Sequence, residues 1–322
     1  RDSWTMFRLT GYAPDTARLS VQMNFQEDLD LNQDDRSWIF CETYTIPAQP
    51  KWVRKGELAW NALPYLHLRK RQIPMPDEYI TTPECCINAG WGTASSDRKR
   101  SGNISWEFTE EELPSIDWKE KPVWKKDGDS LCGTIPAGSS GKIYAATLDL
   151  GEEWLPGTPV LDVSGGNSDT EIELHYYHNL PNGIAELLPP PGVGSLLALA
   201  ARVRLNGPQV HHEFFQIMGI RFVTVVVRGD HGPLDLKLSW RCAAYPLTIK
   251  GAWDSSDEDL NAIWQISKHT QQVCPMDVFV DTPWREQSQW WGDARIQAKN
   301  THWLTGDSRL LEQGIHLIAE QE

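Results

Sequence analysis

The chain has 322 residues, 40% hydrophobic and 23% charged, with a formal net charge of −14 and a sequence pI near 5.1. That balance fits a soluble globular chain with a sizeable core. It also repels phosphate backbones, and the short basic runs Arg69-Lys70-Arg71 and Arg98-Lys99-Arg100 read as a strand end and a solvated loop, so nucleic acid is excluded as a partner. The apolar run 193–201 falls short of the roughly 18 residues that span a bilayer, so no membrane partner is expected.

Residues 1–75 read as an N-terminal β-rich segment, with period-two alternation at Phe7-Arg8-Leu9 and over 17–23. Residues 76–247 read as a β-sandwich domain with an irregular insertion around 90–136, a stretch rich in proline, tryptophan and charge. The strand signals are clear from 137 onward: 142–150, 160–163, 170–177, 196–205, 221–228 and 234–240, separated by turns such as Ser164-Gly165-Gly166-Asn167 and Gly229-Asp230.

The period changes after Tyr245-Pro246, and the domain boundary is expected near 246–254. Ser256 is the predicted N-cap of a first helix that keeps Leu260, Ile263, Trp264 and Ser267 on one face. A second helix is predicted over 294–304, closed by Gly306. A third starts at Asp307 or Ser308, with Leu310, Leu311, Ile315 and Ile318 inward. Both ends read as cut, since the chain opens at Arg1 without a signal-like leader and stops at Glu322 inside a helical pattern. Residues 248–322 are therefore expected to be the truncated start of a longer helical domain.

Six cysteines (Cys41, Cys85, Cys86, Cys132, Cys242 and Cys274) form no C-x-x-C pair, and no histidine pair has zinc spacing, so neither a structural metal nor a cofactor is expected. The cysteine count leaves the redox compartment open. His211-His212, His175 and His178 read as ordinary sandwich residues, and adjacent histidines on a strand face opposite ways. Asp149, Glu152 and Asp162 lack the ligand-dense run of a calcium loop. Sixteen tryptophans hint at sugar-ring faces, although indoles also suit ordinary cores.

The chemistry concentrates between the first two helices, in Asp281-Thr282-Pro283-Trp284-Arg285-Glu286-Gln287-Ser288-Gln289-Trp290-Trp291-Gly292-Asp293. Three carboxylates, an arginine and several indoles in one loop suit a pocket for a polyhydroxylated ligand. Glycoside hydrolysis needs one carboxylic acid for the leaving oxygen and a second carboxylate for water or attack. The alternative for Glu286 beside Arg285 is a surface ion pair; for Asp293, which precedes Ala294, it is an N-cap. Trp290 and Trp291 cannot share a helix face, and Trp290 is the one expected toward a pocket, Trp291 toward the core. Asp277 reads as structural.

This loop resembles the signature segment of bacterial α-L-rhamnosidases of glycoside hydrolase family 78. The flanking Ser256-Asp257-x-x-Leu260-Asn261-x-Ile263-Trp264 and Arg295-Ile296-Gln297-Ala298 resemble that family too. So do Ala145 to Glu152, Glu213-Phe214-Phe215, Gly219-Ile220-Arg221-Phe222 and Arg71-Gln72-Ile73-Pro74-Met75-Pro76. The resemblance implies a β-sandwich followed by the first helices of an all-α (α/α)6 barrel, and inverting release of terminal α-L-rhamnose from a rhamnose-containing carbohydrate. It implies Glu286 as general acid, Asp281 and Asp293 as carboxylates holding sugar hydroxyls, and Arg285 and Trp290 as pocket residues. The two flanking aspartates would then keep Glu286 protonated. Thr282 stands where many members have cysteine, and Trp291 where threonine or valine is common. The general base has no match in this chain, so the fragment alone is expected to be inactive. Another six-hairpin glycosidase with a different terminal sugar, or a non-catalytic carbohydrate-binding relative, are the competing readings. Aglycone, linkage, compartment and oligomeric state stay open.

Overall fold

The computed structural model describes residues 5–6, 10–13, 16–19, 23, 25–33, 39–40, 71–95, 103–180 and 199–319. The expected alternation at 7–9 lies outside them, as do parts of the 17–23 and 196–205 segments. In chain order the strands are β1 (Thr5–Met6), β2 (Asp28–Asp30), β3 (Ile39–Phe40), β4 (Asp77–Thr81), β5 (Cys85–Thr93), β6 (Asp117–Glu120), β7 (Trp124–Asp127), β8 (Ser130–Ile135), β9 (Lys142–Asp149), β10 (Gly157–Ser164), β11 (Glu171–Tyr177), β12 (Ala200–Arg204), β13 (Gln209–Glu213), β14 (Phe222–Arg228) and β15 (Leu234–Ala244). The helices are α1 (Ile104–Glu107), continued by wider and tighter turns to Ser115, then α2 (Glu258–Val273), α3 (Trp291–Thr305) and α4 (Arg309–Ala319).

Two sheets face each other. One runs β2-β12-β11-β14-β9-β5-β6; the other runs β13-β10-β15-β8-β7, with β4 pairing the second half of β15. Apart from the parallel β2–β12 pair, the described ladders in both sheets are antiparallel. Alternation supplies the core between them: Leu234, Leu236, Leu238 and Trp240 from β15 meet Ile172, Leu174 and Tyr176 from β11 and Val223, Val225 and Val227 from β14.

Strands β11 and β14 are buried on both faces, which explains why RFVTVVVR reads as a continuous apolar run. The outer face is covered by residues 104–116. Phe108 and Ile116 pack there on Ile143, Ala145 and Val226. Beside this apolar patch lies a buried ionic cluster. Arg202 reaches Glu107 at 2.5 Å and Glu173 at 2.7 Å; Arg228 reaches Glu112 at 2.6 Å and Glu173 at 2.5 Å. The two guanidinium groups hold the Glu173 carboxyl well below the usual carboxylate range despite its burial.

The 90–136 stretch, expected to be irregular, instead carries the end of β5, the α1 segment, β6, β7 and β8. Of these, β6 and β7 are edge strands and mostly exposed, so they show charge and tryptophan rather than two-sided apolar runs. β4, also largely exposed, went unpredicted for this reason, whereas β13 carries His211-His212 as the strand expected there.

The helical segment has its own core of Ile73, Tyr245, Phe279, Ala294, Ala298 and Leu310, with Trp291 packed against it. The first helix is capped by Asp257, whose side chain accepts from the N–H groups of Asp259 and Leu260, not by Ser256. Gly306 closes α3 in the left-handed conformation, as its position predicts. Of the face expected inward on α4, Leu310 is buried and Leu311 packs against that core, while Ile315 and Ile318 are exposed, as are Leu260 and Ile263 of the apolar face of α2. α2 buries Gln271 and Val273 instead, and Gln271 donates to Thr301 of α3 at 2.9 Å. Asp277 is structural as expected, held by Arg71 through two hydrogen bonds of 2.7 and 3.0 Å.

Glu27, next to β2, is buried at 3% exposure, and burial pushes its carboxyl up to about 7 against the opposing pull of two backbone N–H donors.

Two stability predictions follow from this burial. Glu173→Ala leaves two buried guanidinium groups short of a counter-charge and should lower stability by about 3–5 kcal/mol in urea denaturation. Glu27 binds its proton more tightly folded than unfolded, so its contribution is complete below the ordinary 4.5 and is lost as pH rises through about 7. On the order of 3 kcal/mol of stability should disappear between about pH 4.5 and about pH 7.5, and Glu27→Gln should flatten that dependence.

Candidate active site

The loop between α2 and α3 is positioned from three sides. From below, Gln297 of α3 donates to the Val280 carbonyl at 2.7 Å. Across its own neck, Asp281 and Ser288 exchange two hydrogen bonds: the Asp281 N–H donates to the Ser288 carbonyl, and the Ser288 N–H to the Asp281 carboxylate, both at 3.0 Å. Against the sandwich, the Gly219 N–H donates to the Pro283 carbonyl at 2.8 Å, and a Cβ on Gly219 would sit 2.3 Å from Pro283 Cβ. Glycine is required there by close approach.

At the tip, Glu286 and Gln287 are both left-handed, with φ of 54° and 52°. Neither is glycine, and each such residue costs about 1–2 kcal/mol. The strain is sustained by the Gln287 side chain, whose amide donates to the carbonyls of Ile217 and Pro283, both at 2.8 Å. Thr282 Oγ1 adds a hydrogen bond to the Arg285 carbonyl at 2.7 Å. Strained backbone held by surrounding bonds is a feature that clusters where side chains must be aimed.

That geometry brings three of the expected residues together. Glu286 is hydrogen-bonded to Asp281, and Trp290 Nε1 donates to Glu286 Oε2 at 3.3 Å. The Asp281 carboxylate, through that hydrogen bond first, then desolvation and its charge, raises the Glu286 pKa above the ordinary glutamate value; the Trp290 donor and the Arg285 charge pull it down. Of the two flanking aspartates, Asp281 is the one that raises Glu286. Asp293 lies exposed in the first turn of α3, where Trp290 is the N-cap residue without a side-chain cap bond, so the alternative of Asp293 as N-cap is corrected. Its charge favours that helix N-terminus. Trp290 is exposed and Trp291 packs into the helical core. Arg285 is exposed and its guanidinium lies 4.8 Å from the Trp284 ring centroid.

Two side chains at this site were not foreseen. His178, read as an ordinary sandwich residue, stacks on Trp284 at 4.2 Å with an interplanar angle of 17°. Gln287 is the strap just described. Both lie beside residues that the motif drew attention to, yet their partners are far away in sequence. Asp149 is engaged by Arg221 at 2.9 and 3.0 Å and by the Gly151 N–H, which gives it a structural role. Among the described residues no group of three or more histidine, cysteine or acidic side chains could hold a metal ion, and no helix is long and apolar enough to cross a membrane.

Comparison with known proteins adds to this geometry. Residues 249–322 match the family model of the bacterial alpha-L-rhamnosidase 6 hairpin glycosidase domain. The chain is similar to the GH78 family rhamnosidase of Bacillus sp. GL1, at 25% identity and a TM-score of 0.51, over 59% of this chain and 19% of that one. It is also similar to a rhamnosidase from Klebsiella oxytoca with rhamnose bound, at 15% identity and a TM-score of 0.49, over 74% of this chain and 43% of that one. A Streptomyces avermitilis alpha-L-rhamnosidase complexed with L-rhamnose aligns at 18% identity and a TM-score of 0.42, over 66% of this chain and 21% of that one. This chain therefore spans well under two thirds of the length of each. No curated protein matches it. The family match relates residues 249–322 to that domain, and the Bacillus likeness agrees with it.

If Asp281 raises the Glu286 pKa, Asp281→Asn should lower it toward the ordinary glutamate value while keeping the Ser288 hydrogen bond. A carbon-13 NMR titration of labelled glutamate, with the Glu286 signal assigned from Glu286→Gln, measures that shift.

Proposed function

We propose that this chain carries the sandwich and the acid-bearing loop of a glycoside hydrolase that removes terminal α-L-rhamnose with inversion. The observation that carries the proposal is the grouping of Glu286, Asp281 and Trp290 on a strained loop, within the segment that matches the rhamnosidase domain. In this reading α2, α3 and α4 are the first helices of an (α/α)6 barrel.

Glu286 is the general acid. Held protonated by the neighbouring Asp281 charge, it gives its proton to the glycosidic oxygen as the bond from that oxygen to the anomeric carbon breaks. The Trp290 N–H and the Arg285 charge favour the carboxylate left behind. Water attacks the anomeric carbon from the opposite face and loses its proton to a second carboxylate, which inverting enzymes keep roughly 6.5–9.5 Å from the first. That base belongs to a part of the enzyme outside this chain. Asp281 and Asp293 accept hydrogen bonds from rhamnose hydroxyls, and the exposed Trp290 ring covers an apolar face of the sugar. Arg285 lines the same pocket.

The test is hydrolysis by the full-length protein, of p-nitrophenyl α-L-rhamnoside for the activity and of methyl α-L-rhamnoside for the acid. Glu286→Gln should lower kcat on the methyl glycoside by about 10²–10⁴-fold with little change in KM. Proton NMR of the first-formed sugar should show the inverted anomer. Undiminished turnover of the methyl glycoside by the variant removes Glu286 as the acid, and absence of turnover of both substrates by the parent removes the rhamnosidase reading.

A further inference from the structure

We propose that Glu27, a buried carboxyl of the sandwich, is a positioning residue for Glu286, acting through the bend at 214–219. This rests on the reading of Glu286 as the acid. Glu27 Oε1 accepts from the backbone N–H groups of Phe215 and Gln216, at 3.1 and 3.0 Å. The same bend then grips the strained loop. Gln216 Nε2 donates to Gln287 Oε1 at 3.4 Å, the Ile217 carbonyl accepts from Gln287 Nε2 at 2.8 Å, and the Gly219 N–H donates to the Pro283 carbonyl at 2.8 Å. Gln287 follows Glu286 directly, and both are left-handed. One buried side chain thus holds the bend, the bend holds Gln287, and Gln287 holds the backbone that aims the acid.

A carboxyl is an expensive way to tie two backbone amides in a core, because its second oxygen must also be placed. Glu27 Oε2 is buried without a hydrogen-bond partner among the described residues. The environment favours the neutral acid, with the carboxyl pushed up to about 7. Tyr176 of β11 is the titratable side chain whose field couples to it, and the Arg202 backbone N–H donates to the Glu27 carbonyl at 2.7 Å. Next in sequence, Asp28 is engaged by the Arg202 guanidinium at 3.4 Å. On the other side, Gln26 Oε1 accepts from the Ile104 N–H, so this short segment is fixed at both residues. A neutral amide at position 27 would keep the acceptor that Phe215 and Gln216 use.

The test uses the full-length protein and two substrates: p-nitrophenyl α-L-rhamnoside, whose good leaving group needs little protonation, and methyl α-L-rhamnoside, whose poor one needs much. Glu286→Gln sets the reference: it must lose far more kcat on the methyl glycoside, and if it does not, the acid reading fails and this inference with it. Given that reference, Glu27→Leu should lose about tenfold in kcat on the methyl glycoside and at most about threefold on the nitrophenyl one, with KM little changed. Glu27→Gln should restore both. Gln216→Ala, which removes one of the three hydrogen bonds from the bend to the loop without entering the core, should give a smaller loss of the same selectivity if the leucine variant fails to fold. Hydrogen exchange of peptides spanning 281–288 should rise in the impaired variants while β11 and β14 stay protected. Equal losses on both substrates, or no loss with the sheet intact, overturn the role of Glu27 and leave that of Glu286 standing.

Discussion

The seam between residues 216–219 of the sandwich and 283–287 of the helical segment is the constraint on which the site depends. Three hydrogen bonds cross it, and Gly219 lets Pro283 approach to a distance that no side chain would permit. A loop of this length, left to itself, would relax Glu286 and Gln287 out of the left-handed region. Pinned to a rigid sheet, it cannot. The sandwich therefore acts on the candidate chemistry without contributing a carboxylate to it: it fixes the backbone from which Glu286 projects.

The rigidity of that sheet comes from its outer face as much as from its core. Leucine and valine side chains fill the space between the sheets, and the far side of β11, β12 and β14 is sealed by residues 104–116. Charge sits beneath that cover: Glu171, Glu173, Arg202 and Arg228 lie buried with Glu107 and Glu112 of the covering segment. Such a network is only tolerable when its members satisfy one another, and it specifies one docking position for the segment above it. The Gln26–Glu27 pair stands at the margin of this arrangement, with one residue bonded to the covering segment and the other to the bend.

Most strands after residue 137 were legible because two-sided burial writes long β-branched or alternating runs into the sequence, as in β14 and β15. The edge strands β6 and β7 were not, since a strand that meets water on most of its surface can be built from Asp117, Lys119, Glu120, Lys125 and Lys126. The motif directed attention to Asp281, Glu286 and Trp290, and these are gathered by the fold. It carried no sign of the positive φ at Glu286 and Gln287, because neither is glycine or asparagine. His178 and Glu27 were illegible for a different reason: each acquires its meaning from a contact about a hundred or more residues away in the chain. Periodicity also overstated the burial of Ile263 and Ile315, whose spacing suits an apolar face that is exposed among the described residues.

Asp281 raises Glu286 through a direct hydrogen bond and its charge, while Trp290 and Arg285 oppose it, and a raised carboxyl is what the proposed role of proton donor calls for. The most direct measurement is a crystal structure of the full-length protein with L-rhamnose bound. The account predicts the sugar between Asp281, Asp293 and the Trp290 ring, with the Glu286 carboxyl within hydrogen-bonding distance of the anomeric oxygen. Rhamnose bound elsewhere, with Glu286 turned from the anomeric centre, would contradict it.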